Sequence, residues 1–105
     1  MMMKMKTMNK NKINVAIQVL PVSNEKDSYD LVDMAIHEIE KSGLKYKVCP
    51  FETVIEGSFD EIMALVKSVH ELLYENGTQK MMCYIKIQSN KNQDVLIEDK
   101  MHKYE

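Results

Sequence analysis

The pattern of this chain predicts an α+β domain of the ferredoxin-like kind, βαββαβ, with a four-stranded antiparallel sheet carrying two helices on one face. Three observations lead there. Two long stretches have helical apolar spacing, and four shorter ones alternate, in the order strand, helix, strand, strand, helix, strand. The middle two strands are separated by only Pro50, Phe51 and Glu52, which leaves room for a hairpin turn and nothing longer. Each helix therefore sits in a crossover between strands. Right-handed crossovers joined by a central hairpin lead to the spatial order 4-1-3-2.

The first strand shows Ile13, Val15, Ile17 and Val19 alternating with Asn14, Ala16, Gln18 and Leu20, and Pro21 ends it. Its β-branched face is expected to meet the helices. Its other face, which includes Gln18, suits a partner or ligand. A polar loop follows, with Asn24 or Asp27 available as a helix cap. From about Asp27 to Ser42, Leu31, Met34, Ala35 and Ile39 form a helical stripe. Gly43 is expected to stop that helix in the left-handed conformation, with Leu44 closing the end.

Tyr46, Val48 and Pro50 alternate with Lys47 and Cys49 as a second strand, and Thr53 to Glu56 reads as the third. Gly57 should release the chain into a second helix, Ser58 or Phe59 to Glu75. There Ser58 and Glu61 have the spacing of a reciprocal capping box. Ile62, Leu65, Val66, Val69, Leu72 and Leu73 make its stripe, and Asn76-Gly77 ends it. Met81 to Gln88 is the last strand. Met81, Cys83, Ile85 and Ile87 are expected against the helices, with Tyr84 and Lys86 on the open face. From Asp94 to Glu105 the pattern is short, either a brief helix or an extended tail anchored by Val95, Ile97 and Met101.

Residues 1–11 read as a disordered N-terminal tail, and 12–105 as a single domain with a short C-terminal extension. The tail's methionines and lysines lack the apolar run of a signal peptide, and no stretch approaches a membrane span. A cytoplasmic location is the expectation. Cys49 and Cys83 belong to no CxxC pair, and His37, His70 and His102 are scattered. Neither pattern predicts a metal site.

All 14 basic residues are lysine, and the formal charge is −2. Without arginine, the bidentate chemistry used on guanine, carboxylate or phosphate is missing, so no nucleic-acid partner is expected. Phosphotransfer and acylphosphatase-like readings weaken for the same reason. No Ser-His-Asp set or hydrolytic carboxylate pair emerges, so no enzyme is expected either.

The densest segment is Leu44 to Glu61, and the ordered series Ser42, Gly43, Leu44, Tyr46, Pro50, Thr53, Glu56 and Gly57 has a family character. With VAIQVLPV before it and KMMCYIKIQ after it, the chain from Ile13 to Met101 resembles the thiamine-binding protein family of small YkoF-like proteins. The resemblance implies a ferredoxin-like subunit that self-associates to a dimer or tetramer. It also implies a non-catalytic carrier or sensor of thiamine or its hydroxymethylpyrimidine moiety, with no other cofactor.

An aminopyrimidine is flat, carries donors and acceptors on one edge and stacks on aromatic rings, while the thiazolium of thiamine wants a carboxylate. Glu56 and Tyr46 offer that chemistry, and Gln18, Thr53 and Tyr84 could add hydrogen bonds. These five are the candidate ligand-binding residues. The alternative is a structural or regulatory homo-oligomeric module that binds no small molecule.

Overall fold

A computed structural model describes residues 11–105; the anticipated N-terminal tail otherwise lies outside the described residues. Strand β1 (Lys12–Val22) leads into helix α1 (Ser28–Lys41). The hairpin strands β2 (Lys45–Val48) and β3 (Thr53–Ser58) follow, then helix α2 (Phe59–Glu75) and strand β4 (Lys80–Gln88). The sheet is antiparallel throughout, in the order β2-β3-β1-β4, which is the expected arrangement read from the other edge. After β4 comes a short helix α3 (Ile97–Met101) and a terminal 3₁₀ turn, His102–Tyr104.

The helices begin and end where local chemistry dictates. The Asp27 carboxylate accepts from the Tyr29 amide at 2.8 Å and starts α1. Gly43, at φ +78°, occupies the left-handed position beyond its end. At α2 the capping box is complete: Ser58 Oγ accepts from the Glu61 amide at 3.2 Å, and the Glu61 carboxylate accepts from the Ser58 amide at 3.1 Å. Hydrogen bonding to the carboxylate from Ser58, its amide foremost and then its hydroxyl, holds the Glu61 carboxyl below its usual pKa of 4.5.

Cross-strand partners share a face, so register assigns every side chain. Ile13, Val15 and Ile17 stand beside Gly57, Ile55 and Thr53 on the helix face. There they meet Leu31, Ala35 and Ile39 of α1 and Ile62, Leu65, Val69 and Leu73 of α2 in one buried core. Gly57 does not release the chain as the sequence suggested. It is a strand residue opposite Ile13, and a β-carbon there would stand 3.2 Å from Leu44 Cδ2. Leu44 fills the space that a side chain at residue 57 would need.

Two expectations about the sheet are corrected. Met81 and Cys83 are half-buried, but Ile85 and Ile87, on the same face, are exposed. The helices cover the central strands and leave this end of the outer strand β4 bare. The opposite face, expected to be open, is closed at one corner by the C-terminal segment. Asp94 and Val95 bond the Lys12 backbone, the Asn14 side-chain amide donates to the Val95 carbonyl at 2.9 Å, and the Ile97 amide donates to Glu56 Oε1 at 2.7 Å. Asn14 and Glu56 are buried as a result, at 4% and 7% exposure. Lys47, ion-paired to Glu105 at 3.2 Å, ties down the chain's last turn.

Candidate functional site

The ladder between β1 and β3 ends at Ile17 opposite Thr53, while β1 continues to Val22. From Gln18 onward β1 pairs with β4 alone, so its other edge has no strand beside it. The missing neighbour is replaced by a slot. The hairpin turn walls one side, closed by the Cys49 amide donating to the Glu52 carbonyl at 2.9 Å, and α1 walls the other.

The slot has a volume of about 220 Å³. Because no strand covers the edge of β1, it is lined both by helix-face residues such as Ile17, Val19 and Thr53 and by open-face residues such as Gln18 and Glu52. Val32, Ile36 and Val48 make much of its wall apolar. Tyr29 and Phe51 also line it and are 79% and 81% exposed. Both aromatics lie outside the helical and strand stripes. The sequence signal for Phe51 was an aromatic in a turn too short to bury it, and Tyr29 is set off from Leu31, Ala35 and Ile39. Neither was anticipated as a site residue.

The five sequence-predicted residues do not converge. Gln18 and Thr53 line the slot, with Thr53 buried. Tyr84 is the cross-strand partner of Gln18 on the open face and is half-exposed. Tyr46 points to the helix face beside Ile55 and packs on the core. Glu56 lies at the far end of β3, with one carboxylate oxygen on the Ile97 amide.

A wider hollow of about 490 Å³ lies between β2 and α3, lined by Lys45, Tyr46, Lys47, Glu98 and Glu105 among others. Its charged groups are partly spent on each other, as in the Lys47–Glu105 pair. The smaller slot is the better candidate for a flat organic ligand, because apolar walls with a few polar groups are what such ligands fill.

On the open face, the Lys86 ammonium reaches across β1 to Glu52 Oε1 at 3.1 Å. Among the described residues, no cluster of three or more His, Cys, Asp or Glu side chains is placed to hold a metal ion, and no helix is long and apolar enough to cross a membrane. Cys49 and Cys83 are free thiols, and partial burial raises the pKa of Cys83.

Known proteins share this sequence pattern and fold. A UPF0045 protein of Clostridium perfringens is 35% identical over 91 residues, covering 87% of this chain and 95% of its own length. A UPF0045 protein of Methanothermobacter thermautotrophicus is 27% identical over 93 residues, covering 85% of this chain and 92% of its own. Among solved structures, a domain of unknown function, DUF77, from Bacillus cereus superposes with a TM-score of 0.87 at 30% identity, covering 90% of this chain and 91% of that one. A Thermotoga maritima protein provisionally assigned to thiamine biosynthesis or salvage gives a TM-score of 0.81 at 32% identity, covering 90% and 99%. The family model described as "Thiamine-binding protein" matches residues 15–105, and with these relatives it shows that the chain belongs to the thiamine-binding protein family.

Proposed function

We propose that this protein is a non-catalytic carrier or sensor that binds the aminopyrimidine ring of thiamine, or free hydroxymethylpyrimidine, in the slot beside β1. The observation that carries the reading is the slot itself. It is apolar-walled, rimmed by two exposed aromatics, and offers Gln18 and Thr53 as polar groups, in a chain of the thiamine-binding protein family. Its volume of about 220 Å³ falls below the roughly 300–1,000 Å³ of pockets that engulf drug-sized ligands. It suits one ring. The pyrimidine fits inside, which leaves the thiazolium of thiamine at the rim.

Calorimetric titration with thiamine and with hydroxymethylpyrimidine tests this. Saturable 1:1 binding of either one, weakened at least tenfold by Gln18→Ala or Thr53→Val, supports the reading. The absence of binding by both ligands overturns it.

Self-association to a dimer or tetramer belongs to the same proposal, through β4. That outer strand exposes Met82 and Tyr84 on one face and Ile85 and Ile87 on the other. An edge strand apolar on both faces is normally covered. Light scattering that gives a monomer mass at micromolar concentration would remove this part. If it does, the titrations still judge the ligand.

A further inference from the structure

The rim of the slot carries a charge arrangement that the function above leaves unused. Glu52 lines the slot, and on the open face its carboxylate is held 3.1 Å from the Lys86 ammonium. The two partners differ in exposure: the Glu52 side chain is 30% exposed and the Lys86 side chain 74%. Glu52 is also held by its backbone, whose carbonyl closes the hairpin on the Cys49 amide. Lys86 stands on β4, reaches over Ala16 and leaves most of its length in water. The carboxylate is therefore the more buried member of the pair, tied into the hairpin, and the lysine is a largely solvated counterion laid across it.

We propose that the Glu52–Lys86 pair sets the specificity of the slot between cationic and neutral pyrimidines, with Lys86 masking the carboxylate that a thiazolium would otherwise engage. This rests on the aminopyrimidine reading of the slot. One ring fills the space, so any cationic group attached to it must lie at the rim, and Glu52 is the carboxylate among the lining residues. Ligand and lysine compete for it. With Lys86 bound, a permanent cation gains little over a neutral alcohol. With Lys86 removed, the carboxylate is free to balance the cation.

The inference separates two ligands that share the pyrimidine and differ in charge. The experiment measures Kd for thiamine and for hydroxymethylpyrimidine by calorimetry at low salt, in the parent, in Lys86→Gln and in Glu52→Gln. Lys86→Gln is expected to tighten thiamine about fivefold, or ~1 kcal/mol, with hydroxymethylpyrimidine unchanged. In Glu52→Gln the preference for thiamine over hydroxymethylpyrimidine is expected to fall below that of the parent, because Lys86 is left unbalanced at the rim. Raising the salt should erase the gain in Lys86→Gln, as it does for any exposed charge interaction.

The outcomes are distinct. If the parent binds neither compound and both variants behave likewise, the aminopyrimidine reading itself has failed, and this inference with it. If the parent binds but the ratio of the two Kd values is the same in all three proteins, the slot reading stands and the charge selection is overturned. Equal tightening of both ligands by Lys86→Gln would also overturn it, since that would mean the lysine obstructs the slot by bulk and not by charge.

Discussion

Replacing Glu56 with alanine distinguishes two roles for the most buried carboxylate in the fold. Its Oε1 accepts from the Ile97 amide at 2.7 Å, and the residue is 7% exposed. The bond joins β3 to the C-terminal segment, 41 residues away in sequence. A hydrogen bond to a charged group contributes about 1.5–3 kcal/mol. Alanine also leaves the Ile97 amide without its acceptor, and it loosens the cover over Asn14. A loss of about 2–3 kcal/mol follows, which in a domain near this size lowers Tm by about 10 °C or more.

Glutamine keeps an acceptor oxygen but not the charge, so Glu56→Gln should fall between parent and alanine. Urea unfolding gives the energies, and amide hydrogen exchange gives the locus: Ile97 and Val95 should lose protection in Glu56→Ala before the sheet does. If stability and Ile97 exchange are unchanged while thiamine binding weakens, the structural account of Glu56 is wrong and the carboxylate serves a ligand.

The remaining expectations concern the scaffold. Ser58→Ala removes the side-chain acceptor of the Glu61 amide and should cost about 1 kcal/mol; equal urea midpoints and slopes for variant and parent would refute it. Glu61 has a lowered folded pKa, so the stability its carboxylate contributes is fully present above its usual value of 4.5 and disappears as pH falls through the lowered value. The midpoint gap between parent and Glu61→Gln should therefore close on acidification below that range, and a gap constant with pH would contradict the cap. Val69→Ala, at a fully buried site between α2 and the sheet, should cost roughly 2 kcal/mol through lost contact and a residual cavity. A change below about 0.5 kcal/mol would mean that the face of α2 is wrongly assigned.

The parts of this fold that depend on local periodicity were legible in the sequence. Alternation from Ile13 to Val19, the stripe through Leu31, Ala35 and Ile39, the Ser58–Glu61 box and the Gly43 stop each depend on neighbours a few residues away. What was not legible depends on distant segments. Nothing near Asn14 or Glu56 announces that Val95 and Ile97 will cover them, because that meeting is made by the C-terminal chain crossing back over the sheet. Nor does the pattern of β4 reveal that helix cover stops between Cys83 and Ile85.

The site divides in the same way. Gln18 and Thr53 were found as polar or β-branched residues on strands, but face assignment alone would have kept them apart. They line one slot because β3 starts too late to pair with β1 beyond Ile17. Tyr46 and Glu56 belong to the same hairpin segment, yet register turns Tyr46 to the helix face, half-buried against the core, and places Glu56 at the end of β3 away from the slot. Lys86 and Glu52 are close only through the sheet order.

The location of the ligand tests the account most directly. Backbone amide shifts in a labelled sample, followed during titration with hydroxymethylpyrimidine, should move in a fast and saturable way at Gln18, Val19, Tyr29, Phe51, Glu52 and Thr53, with Lys45, Lys47 and Glu98 unmoved. Shifts centred instead on Lys45, Lys47, Ile97 and Glu98, around the hollow beneath α3, would contradict the slot as the binding site, as would a saturating excess of the pyrimidine that moves nothing.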